Sequence, residues 1–326
     1  AKSVKQVNAR RYFALTGTPI ENSLTELWSI FDFIMPGYLA SHHKFQQRYE
    51  TPIVRNKDLE ALEDLSRHIR PFILRRLKRD VLKELPEKIE TKLSCEMTDQ
   101  QKKVYAAYLA QARSEMDEEI RARGLQRSQV KILALLTRLR QICCHPASFL
   151  ENYTGDSGKL ELLREVITDS LDSGHRILIF SQFVTMLDLI EKEVSLMGKK
   201  IFRIDGQTPS GSRMKQVHAF NDGEGDLFLI SLKAGGTGLN LTGADTVIHY
   251  DPWWNPAVED QATDRAYRIG QLNKVQVYKL VTRGTIEEKI FAMQQQKREL
   301  VDAVIKPGES FLGKMTAEEI RGLFDE

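Results

Sequence analysis

From residue 177 onward the chain repeats one pattern: a short β-rich run, a turn, then in most intervals a stretch with apolar residues three or four apart. The runs are Ile177 to Phe180, Ile201 to Ile204, Leu227 to Ile230, Thr246 to Tyr250 and Val275 to Val281, recurring about every 20 to 30 residues. Lys159 to Leu171, Thr185 to Met197 and Ser210 to Asn221 carry the helical period around and between them. Short β-rich runs alternating with amphipathic helices predict an α/β fold, a parallel sheet with helices on both faces. Right-handed crossovers bring the loops that follow the strands to one edge. Those loops hold Gln182, Asp205-Gly206, Lys233 to Gly238 and Asp251 to Asn255, so the polar motifs are expected at the ligand edge of an open sheet.

Upstream, Ile89, Thr91, Leu93, Cys95 and Met97 alternate with polar residues, the period of a half-buried strand, which starts this sheet-forming lobe near Pro86. Asp99 to Gln141 reads as helical with an interruption near Gly124, an insertion in that lobe. Ser41 to Leu85 is helical, with Leu59, Leu62, Leu65 and Ile69 spaced for one buried face and Pro52 and Pro71 as breaks. The opening predicts a strand, Tyr12 to Thr16, ending in Gly17-Thr18-Pro19, then a helix over Leu24 to Ile34 with Ser23 and Glu26 as a capping box. A last helix is expected from Ile286 to Ile305.

Composition changes this picture little. With 326 residues the chain is long enough for two compact units. Charged residues at 28% and apolar ones at 41% are ordinary for a globular protein. No apolar run approaches the roughly 20 residues that span a membrane, and no signal peptide is read. The chain opens on Ala1 without an initiator Met and is expected to be part of a longer protein.

The net charge of +2 carries no argument for nucleic acid, so that partner must come from local clusters. Two exist, Arg67 to Lys83 and Arg121 to Arg140, each either a solvated face or a phosphate contact. Three cysteines, at 95, 143 and 144, fit a reducing, intracellular compartment. Cys143-Cys144-His145 lacks a second ligand pair at zinc spacing and reads as core packing, so no metal site is expected in the chain.

Two stretches carry candidate chemistry. Asp251 to Gln271, DPWWNPAVEDQATDRAYRIGQ, places Arg265 and Arg268 three residues apart. On a helix they would share a face, with Gln261 one turn back, and the two guanidiniums would clamp an anion such as a triphosphate. Ser231 to Thr242, SLKAGGTGLNLT, follows a buried strand. Its glycines at 235, 236 and 238 allow positive φ and close approach of backbone amides to phosphate. Alone, the first stretch could be a solvated face and the second a tight loop. A dinucleotide loop fails on glycine spacing. Gly308 to Lys314 nearly spells a Walker A loop, but Met315 stands where Ser or Thr must bind Mg²⁺ and no strand precedes it.

LTGTPIEN (15 to 22), ILIFSQF (177 to 183), SLKAGGTGLNLTGADTVIHYDPWWNP (231 to 256) and QATDRAYRIGQ (261 to 271) together resemble the Swi/Snf-type ATPases of helicase superfamily two. RPFILRRLKRDV (70 to 81) and LRQICCHP (139 to 146) extend the likeness over essentially the whole chain. The resemblance implies the end of a first RecA-like lobe over 1 to 22, a helical protrusion and linker over 23 to 85, a second RecA-like lobe over 86 to 283 with a helical insertion at about 98 to 150, and a brace over 284 to 326.

Carried onto matching positions, it implies arginine fingers at Arg265 and Arg268, nucleotide contacts at Gln261, Gly236 and Asp264, and a coupling turn at Thr16, Gly17 and Thr18. Candidate DNA contacts are Lys233, Thr237, Asn240, Gln207 and Trp254, the last with packing as its alternative. ATP and Mg²⁺ are the implied cofactors, held mainly by an N-terminal RecA-like lobe of the same full-length protein, because neither a Walker A loop nor an Asp-Glu-x-His motif occurs here. Implied partners are double-stranded DNA and a DNA-bound target protein, with no membrane. The expected function is the C-terminal half of an ATP-dependent double-stranded DNA translocase or remodeller. A strand-separating helicase and a non-catalytic interaction module remain open, and an upstream Walker A separates the last from the others. The expected location is nuclear in a eukaryote and cytoplasmic, at the nucleoid, in a bacterium.

Overall fold

Four-residue apolar runs leave a strand nowhere to sit but the middle of a sheet, and there the computed structural model places Ile177–Ser181 (β2) and Leu227–Ser231 (β4), every residue of both buried, the closing serines included. The structure describes residues 4–16, 24–56, 58–74, 82, 84–235 and 238–303. They divide into one unit built on residues before 84 and another on residues 84–296.

In the first unit, Leu24–Ile34 (α1) turns Leu24, Leu27 and Phe31 onto Phe45, Tyr49 and Leu65. His42–Phe45 (α2), a π-helical turn Gln46–Glu50 and Thr51–Asn56 (α3) follow one another directly. Pro52 therefore does not break the helix as its sequence position predicts. Its ring would meet the carbonyl one α-turn back, and the preceding turn is widened, with Thr51 N donating to Gln46 O five residues back. Leu59–Ile69 (α4) is capped by Asp58, which accepts from Ala61 N at 3.1 Å. Of its predicted apolar face only Leu65 is fully buried, and Leu59, the first helical residue, points to solvent. Tyr12 to Thr16 is not a strand: the segment has no ladder partner among the described residues, and Tyr12 Oη bonds locally to Val7 O. A single unpaired strand does not hold its shape in water.

The second unit begins with Lys88–Cys95 (β1). Asp99–Arg123 (α5) and Leu125–Cys144 (α6) then form a hairpin about Gly124, whose φ is +73°. Thr98 and Gln101 make the capping box of α5, and the buried Gln101 amide donates to Ile142 O at 2.7 Å and Cys143 O at 3.2 Å, fastening the start of α5 to the end of α6. The chain continues through Gly158–Asp172 (α7), β2, Val184–Leu196 (α8), Ile201–Ile204 (β3), Ser210–Asn221 (α9), β4 and Leu232–Gly235 (α10). Thr246–His249 (β5), Pro256–Thr263 (α11), Val275–Thr282 (β6) and Ile286–Ala303 (α12) complete it.

All six strands are parallel, in the order β1-β6-β5-β2-β4-β3, with Ile177 opposite both Leu227 and Thr246. Alternation sorts the strand residues into two layers. Leu178, Phe180, Phe228 and Ile230 face one core with Phe220 of α9 and Ala262 of α11. Ile177, Ile179, Leu227 and Leu229 face the other with Leu163 of α7 and Leu187 of α8. Each such side chain contributes about 1.5 to 3 kcal/mol on burial, which pins the register, since a one-residue slip would exchange the two faces. The sheet is thus the doubly covered α/β architecture that the pattern predicts. Connections out of β5 and β2, which lie side by side, run to opposite ends of the sheet, making the crevice where such folds bind ligands.

Beneath this sheet lies a pair of charges without solvent. Lys159 of α7 and Glu287 of α12 are both fully buried, and the Lys159 ammonium donates to Glu287 Oε2 while Thr282 N donates to the same oxygen at 3.0 Å. Burial alone would pull the ammonium pKa down; the Glu287 charge outweighs it and holds Lys159 above the ordinary lysine value. Around them the thiols of Cys143 and Cys144 are pushed up by burial and act as small protonated core groups. Lys159→Met alone should cost about 3 to 5 kcal/mol in urea unfolding, because it strands a buried carboxylate, and adding Glu287→Gln should recover much of that loss. Equal instability of the single and double variants would contradict the pairing.

Candidate functional site

The site grows from the loop that follows β5. Asp251 is fully buried, and its Oδ1 accepts from Ser181 Oγ at 2.6 Å and Gln182 N at 3.3 Å, tying the β5 loop to the β2 loop across the crevice. Arg140, near the end of α6, supplies the counter-charge 3.6 Å from Asp251 Oδ2. Burial pushes the Asp251 carboxyl above the usual carboxylate range, with the Arg140 charge the largest opposing influence. Arg140 also donates to Gln182 Oε1 at 2.9 Å and to Pro252 O. Its guanidinium lies 5.7, 5.6 and 5.5 Å from the ring centres of Phe183, Trp253 and Trp254. The expectation that the cluster from Arg121 to Arg140 could contact phosphate fails at this member: Arg140 is 1% exposed. Arg121, Arg123, Arg127 and Arg138 do face solvent.

Asn255 caps α11 by accepting from Ala257 N at 3.2 Å, with Pro256 in the first helical position. Inside α11, the buried Glu259 takes Trp253 N at 2.7 Å and Gln294 Nε2 at 2.8 Å and stands 3.3 Å from the Lys279 ammonium. Burial would raise its pKa, but His249, Lys279 and these donors together hold it below the ordinary glutamate value. The helix is thereby fixed at its start and middle.

It then stops sooner than the spacing predicts. α11 ends at Thr263, whose hydroxyl meets His249 Nε2 at 2.8 Å, and Asp264 is its cap. Gln261 occupies the last helical turn, but Arg265 and Arg268 lie in the irregular turn beyond and do not share a helix with it. The cause is tertiary. Leu241 N donates to Arg265 O at 2.9 Å, Arg268 Nη1 donates to Leu239 O at 3.3 Å, and Gln271 Nε2 reaches Ala244 O at 2.7 Å and Ala266 O at 3.2 Å. These bonds take the place of a further helical turn and bind the arginine turn to the segment after α10. Burial and then the like charge of Arg268 lower the Arg265 pKa, with the Asp264 carboxylate opposing them. Among the described residues no group of three or more His, Cys, Asp or Glu could hold a metal ion.

The glycine-rich stretch also departs from its reading. Leu232–Gly235 closes one helical turn directly after β4, with Ser231 Oγ accepting from Ala234 N. Gly238 has φ of +47° as expected, but Gly235 is required by space: a Cβ there would stand 2.9 Å from Phe180 Cε1. Lys233 and Asn240 are exposed on either side, and Gly236 and Thr237 lie outside the described residues. Gln207 is exposed in the loop after β3, where its N donates to Asp205 Oδ1 at 2.9 Å. Trp254 is half-buried beside Arg140. Thr16 is exposed in the first unit, and Gly17, Thr18, residues 75–81 and the Gly308 to Met315 decoy are outside the described residues.

The structure therefore joins Gln261, Asp264, Arg265 and Arg268 with the segment carrying Asn240, and sets Gln207 and Lys233 after neighbouring strands. Sequence reasoning missed Asp251 and Arg140 as the organisers of the edge. A signal existed: Leu136, Arg140, Cys143 and Cys144 follow the i, i+4, i+7, i+8 spacing of the buried face of α6.

Residues 1–148 match the SNF2-related domain family and residues 158–270 the helicase conserved C-terminal domain. YwqA of Bacillus subtilis, provisionally named an ATP-dependent helicase/translocase, is 42% identical over 332 residues, 99% of this chain and 36% of that protein. The TATA-binding protein-associated factor MOT1 of Saccharomyces cerevisiae is 35% identical over 381 residues, all of this chain and 20% of that one. The SWI2/SNF2 ATPase core of Sulfolobus solfataricus, solved in complex with double-stranded DNA, superposes with a TM-score of 0.62 at 37% identity, covering 99% of this chain and 68% of that structure. The chain spans about a third of the length of YwqA and of curated relatives from two Mycoplasma species.

The cap on α11 gives a direct check on how the site is held. Asn255→Ala should lower stability by about 1 kcal/mol, while Asn255→Asp should lose little, because either oxygen can accept from the helix N-terminus. Thermal unfolding of the two variants decides it, and equal losses would remove the cap from the account.

Proposed function

This chain belongs to the SNF2-related, Swi/Snf-type ATPase family, and from that premise we propose that it is the C-terminal half of an ATP-dependent double-stranded DNA translocase or remodeller. The observation that carries the proposal is the pair of backbone-anchored arginines. Arg265 and Arg268 are bonded to Leu241 and Leu239 on either side of Asn240, so the group meant for nucleotide and the segment meant for nucleic acid form one body. A change at one is mechanically felt at the other, which is what a motor needs.

Phosphoryl transfer asks a protein mainly to position groups and neutralise charge. ATP with Mg²⁺ brings the bond to be cleaved and part of the neutralisation. In this reading a preceding RecA-like lobe of the full-length protein grips the β-phosphate, for which these 326 residues offer no Walker A loop. Arg265 and Arg268 supply charge to the developing transition state from across the cleft, and Gln261 and Asp264 border the same nucleotide edge, with Gly236. Thr16, Gly17 and Thr18 couple the lobes. Lys233, Thr237, Asn240, Gln207 and Trp254 form the DNA track, which reads phosphates and not bases. The relative solved with double-stranded DNA and the MOT1 likeness support that partner and a DNA-bound protein as the target. The compartment is the one that holds the DNA, nuclear or nucleoid.

In the complete protein, Arg265→Ala or Arg268→Ala should lower kcat by about 10² to 10⁵ while affinity for duplex DNA without nucleotide stays near the parent value. Near-normal kcat in either variant would make that arginine structural. Steady-state ATP turnover by residues 1–326 alone, lost on Arg268→Ala, would contradict the half-motor reading.

A further inference from the structure

Resting on the motor reading above, we infer that Arg140 is a positioning residue that couples the DNA side of the sheet edge to its nucleotide side. The side chain comes from neither side. It reaches from the helical hairpin into the crevice between β2 and β5, the place where the topology leaves room for a ligand, and fills it with protein. One guanidinium there holds three things: Gln182 after β2, the Asp251 carboxylate and Pro252 carbonyl after β5, and the rings of Trp253 and Trp254. The loop it grips leads through Asn255 into α11, and α11 into the arginine turn. Displacement of Trp254 is therefore transmitted to the start of the helix that sets Gln261, Arg265 and Arg268.

The network is also unsaturated at its centre. Arg140 Nε and Gln182 Nε2 are both buried with no hydrogen-bond acceptor. A buried donor left unmet is costly, so the position of this side chain is set by the partners it does hold. Arg140 thus ties the Gln182 loop to the 251–255 loop. A lysine cannot replace it, because one ammonium cannot face three rings and hold two acceptors in a plane.

The test uses the full-length protein and one ratio, ATP turnover at saturating duplex DNA over turnover without DNA. Arg140→Lys should lower this ratio by roughly three- to thirtyfold, the range seen for changes along coupled networks. A role confined to packing would reduce the folded fraction, scale both rates alike and leave the ratio at the parent value, which overturns the inference. If Arg140→Lys does not melt cooperatively, Gln182→Met decides. It leaves the buried ion pair intact, and it should lower the ratio in the same direction; an unchanged ratio overturns the inference equally. A parent protein with no DNA stimulation overturns the motor reading itself, whereas a stimulated parent with unmoved variants overturns the coupling alone.

Discussion

A carboxylate that cannot reach water organises this edge of the sheet. Asp251, after β5, closes the crevice by taking two donors from the β2 side, Ser181 Oγ and Gln182 N, and it remains tolerable there because Arg140 is delivered to it by α6. Everything downstream inherits that geometry. The Trp253 to Asn255 loop is clamped, α11 starts where Asn255 caps it, and the arginine turn begins where α11 gives out. A parallel sheet makes this economy possible, since every strand ends on the same side and the loops that must cooperate begin as neighbours.

Three buried ion pairs support the same part of the molecule: Arg140 with Asp251, Lys159 with Glu287, and Lys279 with Glu259. Such pairs add little net stability, since desolvation offsets most of the attraction. Their effect here is geometric. The first two link elements far apart in sequence and the third ties α11 to the strand that follows it, and each would leave a stranded charge if its partner moved. Glu259 shows the consequence most plainly, holding the backbone of Trp253 and the side chains of Gln294 and Lys279 at once. Helix α11 is consequently held from β6 and α12 as well as from its own cap.

Much of this was legible in the sequence, and what was not has identifiable causes. Apolar runs marked β2 and β4, the β-rich run Thr246 to Tyr250 marked β5, and period-2 alternation marked β1, because burial on two faces or one writes itself into residue order. The helices around them followed for the same reason. Positions decided by distant partners were illegible. Arg265 and Arg268 have helical spacing, but Leu241 N and Gln271 compete for the carbonyls a longer helix would need. Gly235 has the look of a turn glycine and is instead a contact for Phe180. Arg140 sits in a basic cluster by composition and in the core by helical phase, and phase prevailed because Asp251 waits for it 111 residues away. Pro52 failed as a helix break because a π turn absorbs it.

Amide hydrogen exchange on the full-length protein would test the central claim most directly, namely that the carboxyl ends of the strands and the arginine turn form the working face. With duplex DNA and a non-hydrolysable ATP analogue bound, protection is expected in 182–183, 205–209, 238–240, 250–255 and 264–271, and not in 174–176, 198–200, 223–226 or 243–245 at the opposite ends of the strands. Protection confined to the opposite ends, or none at the arginine turn when both ligands are bound, would contradict it.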